Sequence, residues 1–365
     1  MDNNGRIMLV VGARPQFVKA APLLAQPPEG AAWLLVHTGQ HYDYEMSAAF
    51  FAELAIPEPA YNLEVGRLAP AAQLAAMTGR LADVVDKEAP AAVVVVGDTT
   101  STLAGALAAS LSGVPLAHVE AGMRSYDWAM PEERNRVLTD RLAALRLCPH
   151  DGAAANLARE GITDGVAVVG DVMYEVAAAA YPGLDAAKYI TPLALEPGGY
   201  AYATCHRQEN VDDPARLEAV AEALLELEFP VYFPAHPRTA KALRAAGLWE
   251  RLEAAPHVTL AEPATYYASL ALIRYAAAVL TDSGGVQREA YLYDVPALTL
   301  RDRTEWPETV AAGVNRLVDV DSEAIRAGVA EARARREGPS PRLELVGGPA
   351  PSVRVAEALS YLIQG

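Results

Sequence analysis

The sequence predicts an α/β protein built from two doubly wound, Rossmann-like domains. Three observations support this prediction: the length of the chain, the alternation of apolar runs with Ala- and Leu-rich stretches, and a restart of that alternation near the middle. At 365 residues the chain exceeds the size at which one hydrophobic core usually stops growing. A composition with 52% hydrophobic and 21% charged residues is typical of folded globular proteins.

The first half contains short apolar runs, each followed by a helical candidate. These runs are IMLVVG, WLLVHTG, AVVVVGD, PLAHVEAG and VAVVGD. Continuous apolar strands of this kind suit a parallel sheet that is covered on both faces. We therefore assign residues 1–172 to an N-terminal Rossmann-like domain.

The alternation restarts near residues 170–176 and continues to the C-terminal region. The second series of runs is YAYATCH, VYFPAH, VTLAEP, AAVLTDSGG and PALTLRD. It predicts a second α/β domain over residues 173–351. A Pro- and Gly-rich stretch at 346–351 then precedes an amphipathic segment, 352–363, whose packing partner periodicity does not identify.

Charge, cysteine content and hydropathy exclude several classes of protein. A net charge of -16 without any Lys/Arg-rich block argues against a nucleic-acid partner. Cys148 and Cys205 lie far apart and outside any CxxC pattern, which predicts buried thiols rather than a disulfide framework or a zinc ribbon. The N-terminus lacks signal-peptide features, and no apolar run approaches the roughly 20 residues that span a bilayer. We expect a cytoplasmic protein without a membrane partner.

Polar residues that directly follow the strands are the first candidates for ligand binding, because doubly wound sheets bind ligands at the carboxyl ends of their strands. Arg14 lies on the turn after the first strand, and Lys19 lies one turn into the next helix. A helix N-terminus at this place favours a phosphate. The alternative is that both residues are solvated surface cations.

Three later loops of the first half carry carboxylates. Asp98 follows the most apolar strand and is either the N-cap of the next helix or a catalytic group; taken alone, the motif favours the cap. Glu120 and Glu132 follow in the next two segments, and we expect the three carboxylates to converge. Carboxylates that share a cavity raise one another's pKa, which suits acid/base catalysis. For Glu133, a solvated ion pair with adjacent arginines is the open alternative.

The second half contains two further motifs at strand ends. His206 and Arg207 follow one strand, although a single histidine in this position is more often structural than catalytic. The Ser-Gly-Gly turn at 283–285 follows another strand and offers backbone N–H groups to a diphosphate. Glu289 lies four residues after Gly285 and can accept both ribose hydroxyls. The alternative is a Gly-rich turn followed by a solvated glutamate.

Nine segments together resemble the non-hydrolysing UDP-N-acetylglucosamine 2-epimerase family between residues 12 and 318. They are GARPQFVKAAP, HTGQH, GDTTSTLAGALAA, HVEAGMRS, MPEERNRVLTD, GDVMYE, HRQEN, TDSGGVQREA and LRDRTEWPE. The resemblance implies the GT-B fold with the active site in the inter-domain cleft and the C-terminal helix, 352–365, joined to the first domain. It further implies a homodimer that needs no NAD, no metal and no other cofactor.

The same resemblance implies a reaction in which UDP leaves by anti elimination, giving a 2-acetamidoglycal, and then re-adds with inversion at the sugar C2. Proton transfer and leaving-group stabilisation are implied for Asp98, Glu120, Glu132 and His206. Binding of the UDP-linked acetamido sugar is implied for Arg14, Lys19, Arg207, His236, Ser283, Gly284, Gly285, Glu289, Arg301 and Glu305.

Several features depart from the UDP-N-acetylglucosamine enzymes. The segment Glu305-Trp306-Pro307 stands where those enzymes typically carry Glu-Arg-Pro, and the loop at 124–131 is shorter. With GARPQF and TGQHYD, these features resemble the branch that epimerises UDP-2,3-diacetamido-2,3-dideoxy-glucuronate, which serves cell-surface polysaccharide synthesis. Some relatives bind an activating second substrate near a Gln-His-Arg segment, for which this chain has 40–42, Gln-His-Tyr.

Two other functions are weighed against the epimerase. A GT-B glycosyltransferase would share the Ser-Gly-Gly turn and Glu289, because these bind UDP, but it would not need Asp98, Glu120 and Glu132. A non-catalytic nucleotide-sugar sensor would tolerate loss of the acid/base groups. All of those groups are present, and buried carboxylates are costly to keep without a role, so the sequence favours the epimerase.

Overall fold

The computed structural model describes residues 5–40, 50–335, 339–343 and 349–364. Residue contacts divide the chain into two compact units. Unit 1 comprises Met1–Val176 with Leu345–Gly365, and unit 2 comprises Ala177–Glu344. Each unit contains one parallel β-sheet with helices between the strands, so the predicted α/β class with two Rossmann-like sheets is confirmed.

Over its described residues, unit 1 has a seven-stranded sheet in the order β3-β2-β1-β4-β5-β6-β7. The strands are β1 (Arg6–Val11), β2 (Ala32–His37), β3 (Tyr61–Asn62), β4 (Ala92–Val96), β5 (Leu116–Val119), β6 (Leu145–Cys148) and β7 (Val166–Val168). The helices are α1 (Arg14–Ala25), α2 (Pro70–Glu88), α3 (Thr100–Leu111), α4 (Pro131–Leu142), α5 (Asp151–Arg159) and α6 (Val172–Ala180), the last of which continues into unit 2.

The buried centre of this sheet explains its parallel pairing. Every residue of β4 is fully buried, because helices cover both faces of the strand. A run of valines places apolar side chains on both of these faces. The strand order reverses between β1 and β4, so the connections after these two strands leave in opposite directions. A crevice opens at such a switch point. The segments after β1, β4 and β5 therefore lie side by side at one edge of the sheet.

Unit 2 has a six-stranded parallel sheet over its described residues, in the order β10-β9-β8-β11-β12-β13. The strands are β8 (Ala201–Thr204), β9 (Val231–Pro234), β10 (Val258–Ala261), β11 (Ala278–Thr281), β12 (Ala297–Thr299) and β13 (Asn315–Leu317). The helices are α7 (Ala186–Tyr189), α8 (Gln208–Val211), α9 (Pro214–Leu225), α10 (Pro237–Ala245), α11 (Trp249–Ala254), α12 (Tyr266–Arg274), α13 (Gly284–Tyr293), α14 (Pro307–Ala311) and α15 (Ser322–Ala334). The switch point here lies between β8 and β11.

The last helix, α16 (Pro351–Gln364), packs on unit 1. The backbone N–H and the hydroxyl of Ser352 both donate to the carboxylate of Glu175, at 2.8 and 2.7 Å. Val355 and Leu359 of the same helix are fully buried, which explains the amphipathic pattern of this segment. Within the described ranges, no helix has the length and apolar character needed to cross a membrane.

Replacing Gly122 with Ala is expected to destabilise unit 1 by more than the usual cost of a left-handed conformation at a non-glycine residue. Gly122 has φ +79°, and an added Cβ would lie 2.3 Å from the carbonyl oxygen of Ala153. Gly113→Ala is the matched control, because Gly113 has φ +68° and its added Cβ would meet nothing within 4 Å. Urea unfolding should show a loss of about 1 kcal/mol for the control and at least about 2 kcal/mol for Gly122→Ala. Equal losses would contradict the steric argument.

Candidate functional site

A buried ion pair lies at the switch point of unit 1. The ammonium nitrogen of Lys19 is 2.5 Å from a carboxylate oxygen of Glu120, and the two side chains are only 7% and 12% exposed. Gly97, at the end of β4, has φ +67°, and an added Cβ there would lie 3.0 Å from the same nitrogen. Lys19 thus fills the space between the segments that follow β4 and β5.

The electrostatic surroundings of this pair suit proton transfer. Burial raises the pKa of Glu120; the Lys19 charge opposes this effect, whereas Asp171 and Asp98 add to it, and the net shift is upward. Burial by itself would lower the pKa of Lys19, but Glu120 and Asp98 outweigh it and raise that pKa. A carboxyl group with a raised pKa beside other carboxylates is the environment in which acid/base groups operate.

Asp98 is held by α4 and does not cap a helix. The guanidinium of Arg136 donates to the Asp98 carboxylate at 2.5 Å, and the Asn135 amide donates to the Asp98 carbonyl at 2.9 Å. The N-cap of α3 is Thr99, whose hydroxyl accepts from the backbone N–H of Thr102. The capping interpretation of Asp98 is therefore wrong, because the next residue takes that role.

The two glutamates at the start of α4 differ in their surroundings. Glu132 shares a helix face with Asn135 and Arg136, three and four residues later, and this is the face that contacts Asp98. Glu133 is 1% exposed and accepts hydrogen bonds from the N–H and hydroxyl of Ser125 at 2.8 and 2.9 Å. The solvated alternative for Glu133 is wrong, since this carboxylate is buried and anchors the 124–130 loop.

The N-terminus of α1 differs from the predicted phosphate-binding turn. The side-chain oxygen of Gln16 accepts from the backbone N–H groups of Gly12 and Ala13, at 2.8 and 3.1 Å. Those donors are therefore already paired within the chain. Arg14 is partly buried, and its guanidinium carbon lies 5.3 Å from the ring centre of Phe50. A phosphate contact of Arg14 or Lys19 stays a prediction.

The segment that matches the activator segment of some relatives falls largely outside the described residues. His41 and Tyr42 lie in the range 41–49, which the structure does not describe. Gln40 is described, and its side-chain oxygen accepts from the N–H and the hydroxyl of Ser101 at 2.9 and 2.6 Å. This contact ties the end of the segment to α3.

Asp282 joins two motifs at the switch point of unit 2. Its carboxylate is fully buried and accepts from the backbone N–H groups of His206 and Arg207, at 3.0 and 2.9 Å. The Asn210 amide donates to the same carboxylate at 3.1 Å and to the carbonyl of Leu300 at 3.0 Å. The segments after β8, β11 and β12 are thereby connected through one buried carboxylate.

His206 and His236 lie close together beyond the ends of β8 and β9. The His206 side chain is 41% exposed, and its ring centre is 6.1 Å from that of His236. The ring of His236 caps α10 by accepting from the N–H of Arg238 at 3.2 Å. Two imidazoles on one exposed edge offer hydrogen-bonding groups to a ligand of unit 2.

The Ser-Gly-Gly turn begins α13, as its sequence predicts. Ser283 is the N-cap residue, but its side chain makes no capping bond to the helix. An added Cβ at Gly284 would lie 3.2 Å from the indole nitrogen of Trp306, so only glycine fits without a shift of the indole. Glu289, one turn after Gly285, is 5% exposed, so the alternative of a solvated glutamate is wrong.

Arg301 is the centre of a second buried cluster in unit 2. Its side chain is fully buried, and it donates to Glu209 at 2.7 Å and to Glu305 at 3.0 Å. Burial lowers the pKa of Arg301, but Glu305 and Glu209 outweigh this and raise it, so the guanidinium stays charged. Arg301 therefore fixes the 301–305 segment to the segment after β8.

Trp306, the residue that departs from the Glu-Arg-Pro pattern, is 7% exposed. The guanidinium carbon of Arg288 lies 4.0 Å from its ring centre, and Arg288 also donates to Glu308 at 2.7 Å. A stacked cation of this kind is held by the quadrupole of the indole. Arg288, on the neighbouring helix α13, thus places a positive charge beside Trp306.

The sequence analysis did not identify the residues that hold the candidate site residues in place through hydrogen bonds, chiefly Asp282, Asn210 and Arg136. A signal existed for Asp282, because a carboxylate directly after an apolar strand commonly accepts backbone N–H groups. For Arg136 no local signal distinguishes a buried arginine from a solvated one. Its partner Asp98 lies 38 residues away in sequence.

Replacing Lys19 with Met is expected to move one limb of the pH profile of kcat/KM to higher pH. The Lys19 charge opposes the upward shift of the Glu120 pKa, so its removal raises that pKa further. If Glu120 acts as a base, the acidic limb moves; if it acts as an acid, the alkaline limb moves. Lys241→Met, at an exposed position of α10, is the control and should leave the profile unchanged. An unmoved profile in Lys19→Met would contradict this coupling.

Comparisons with known proteins identify the family of this chain. A family model described as UDP-N-acetylglucosamine 2-epimerase matches residues 26–360. A UDP-N-acetylglucosamine 2-epimerase homolog of Methanococcus maripaludis is 44% identical over 88% of this chain and 90% of that protein. A UDP-2,3-diacetamido-2,3-dideoxy-D-glucuronate 2-epimerase of Pseudomonas aeruginosa is 40% identical over 98% of this chain and 100% of that protein.

A solved structure extends the comparison to the fold. It is the UDP-GlcNAc 2-epimerase of Methanocaldococcus jannaschii in complex with UDP-GlcNAc and UDP. It has a TM-score of 0.89 to this chain at 35% identity, covering 98% of this chain and 99% of that one.

The fold and the polar clusters at its two switch points define an α/β enzyme of the GT-B fold class. The chain belongs to the UDP-N-acetylglucosamine 2-epimerase family and is an isomerase. The family and the fold class predicted from the sequence are both confirmed.

Proposed function

We propose that this enzyme interconverts UDP-N-acetylglucosamine and UDP-N-acetylmannosamine, or a closely related pair, without hydrolysis. The observation that carries the proposal is the buried Lys19–Glu120 pair beside Asp98, in which the pKa of Glu120 is raised by burial and by neighbouring carboxylates. Removing and returning a proton at a sugar carbon requires such groups.

The proposed reaction has two balanced halves. A base removes the C2 proton while the anomeric C–O bond breaks, so that UDP departs and a 2-acetamidoglycal forms. UDP then re-adds at the anomeric carbon while a proton is delivered to C2 from the opposite face. We assign the proton transfers to Asp98, Glu120 and Glu132. Arg136 supports the assignment because it orients Asp98.

We assign UDP binding in unit 2 to the segments connected by Asp282. The Ser283-Gly284-Gly285 turn would hold the diphosphate at the N-terminus of α13. Glu289, which is 5% exposed, would accept the ribose hydroxyls. His206 and Arg207 would stabilise the departing phosphate charge. Arg301 and Glu305 would act by shaping the adjacent segment, because Arg301 is fully buried.

A second candidate substrate is the 2,3-diacetamido-2,3-dideoxy-glucuronate analogue. Two observations favour it: Trp306 stands at the position of the Glu-Arg-Pro arginine and stacks on Arg288, and the Pseudomonas aeruginosa enzyme is 40% identical over 98% of this chain and 100% of that protein. This substrate would connect the enzyme with cell-surface polysaccharide synthesis.

Proton NMR in deuterated water tests both substrates. The purified enzyme is incubated with UDP-N-acetylglucosamine or with the glucuronate analogue, and the C2 proton signal is followed. We expect the signal to be lost by exchange as the manno isomer appears, and the substrate with the higher kcat/KM identifies the branch. If neither substrate exchanges while UDP still binds, the epimerase proposal fails, and an acceptor-dependent transferase or a sensor takes its place.

We further propose that the enzyme is a cytoplasmic homodimer. The family resemblance supports the dimer, and the acidic composition without a Lys/Arg-rich block argues against a nucleic-acid partner. Analytical ultracentrifugation should give a mass near twice the 38.7 kDa of the chain. A monomer mass at micromolar concentration would contradict the dimer.

A further inference from the structure

His118 of β5 is a fully buried histidine with an oxygen atom facing each ring nitrogen. Its Nδ1 is 2.7 Å from a carboxylate oxygen of Asp140, and its Nε2 is 2.7 Å from the carbonyl oxygen of Gly97. Both His118 and Asp140 are 0% exposed. The acid/base roles assigned above do not include this pair, although it contacts the backbone next to Asp98 and Glu120.

The hydrogen-bond partner at Nε2 determines that this nitrogen carries a proton. A carbonyl oxygen only accepts, so Nε2 must donate to Gly97. On the other side of the ring, Asp140 also accepts from the Gly122 N–H at 3.2 Å and from Arg124 at 2.7 Å. Burial would raise the pKa of Asp140, but His118 and Arg124 outweigh it and lower that pKa. His118 therefore connects the Gly97 carbonyl with the buried carboxyl group that also holds Gly122.

The two hydrogen bonds of His118 lead to the two segments that hold the proton-transfer groups. The Gly97 carbonyl directly precedes Asp98. On the other side, Asp140 binds the Gly122 N–H, two residues after Glu120. Glu120 itself has φ +71°, a left-handed conformation that a non-glycine residue keeps only when its surroundings impose it. Asp140, which His118 contacts, thus holds the backbone directly after Glu120.

We propose that His118 is a positioning residue of the epimerase reaction. Its Nε2 bond holds the Gly97–Asp98 turn next to the segment 120–122, which Asp140 binds through the Gly122 N–H. His118 thereby sets the separation of the Asp98 and Glu120 carboxylates. The inference rests on the proposed function, because that separation matters only if both groups transfer protons. His118 makes no contact with substrate in this role.

Two amide substitutions separate the two bonds. The amide nitrogen of Asn stands near the place of Nδ1, so His118→Asn keeps the Asp140 bond and loses the Gly97 bond. The amide nitrogen of Gln stands near the place of Nε2, so His118→Gln keeps the Gly97 bond and loses the Asp140 bond. Both variants replace the imidazole with a neutral carboxamide, which makes each a control for the other.

We expect kcat for C2 exchange to fall by about 10²-fold in His118→Asn, with KM and UDP affinity little changed, because misplacing a reacting group by about 1 Å costs that much. We expect His118→Gln to stay within a few-fold of the wild type. Rates are expressed per folded molecule, using thermal unfolding at each condition. Equal kcat values in the two variants, or changes in stability alone, would overturn the proposal.

Nitrogen-15 NMR of the wild-type histidines provides a readout that needs neither activity nor a folded variant. Nε2 of His118 should show a protonated shift with a slowly exchanging proton, because it donates to the Gly97 carbonyl. A non-protonated Nε2 would overturn the inference even if the enzyme is active. Absence of C2 exchange in the wild type, with Nε2 protonated, would instead reject the proposed function.

Discussion

Replacing Asp98 with Asn is expected to lower kcat for C2 proton exchange by about 10²–10⁴-fold, the range typical of a lost acid/base group. A carboxamide has nearly the same shape but neither accepts nor returns a proton. The partner of Asp98, Arg136, is buried but also pairs with Glu133 at 3.3 Å, so the substitution leaves no buried charge without a partner. The fold should therefore survive, and UDP affinity by calorimetry should change little.

The control for this experiment is Asp83→Asn, on an exposed position of α2 in the same unit. It makes the same chemical change away from the switch point and should keep wild-type kcat. If Asp98→Asn retains more than a tenth of the wild-type rate, Asp98 does not transfer a proton in the slow step. Glu120 and Glu132 would then be left as the acid/base pair.

Replacing Asp282 with Ala is expected to lower the free energy of unfolding by about 3 kcal/mol or more, since each unsatisfied donor that it leaves costs about 1–3 kcal/mol. The N–H groups of His206 and Arg207 would lose their acceptor, and the amide of Asn210 would keep only its bond to the Leu300 carbonyl. UDP affinity should fall with stability, because the same carboxylate holds the segment after β8 against the Ser-Gly-Gly turn.

Urea unfolding and UDP titration measure the two effects of Asp282→Ala. Asp302→Ala is the control, because Asp302 has a 64% exposed side chain and pairs only with its neighbour Arg303 among the contacts described for it. A surface substitution of this kind changes the free energy of unfolding by about 0.5 kcal/mol or less. A loss below about 1 kcal/mol for Asp282→Ala would show that water replaces the carboxylate, and the connecting role of Asp282 would be abandoned.

The parallel sheets are predictable from the sequence because their determinants are local. A run such as AVVVV in β4 suits burial on both faces, and the Ala- and Leu-rich stretches between strands suit covering helices. Polar residues after β1, β4, β5, β8 and β11 follow from the same reading, since the carboxyl ends of parallel strands lie at one edge. The family resemblance rests on those same segments.

The predictions that the structure overturned concern what a side chain contacts. Asp98 resembles an N-cap in sequence, yet Thr99 caps the helix and Arg136 binds the aspartate. Glu133 resembles a solvated surface residue, yet it is buried and anchors a loop through Ser125. In each case the deciding contact comes from another loop or helix, so no local pattern reports it.

The sequence by itself determined the alternation of strands and helices, the strand ends at which polar residues gather, and the family to which the chain belongs. Only the tertiary structure decided that Lys19 pairs with Glu120, that Asp282 connects three segments, and that His118 lies between Asp140 and the Gly97 carbonyl. The physical reason is that secondary structure follows from neighbours along the chain. Burial, charge state and hydrogen-bond partners depend on residues from distant segments, which meet only when the sheet is assembled.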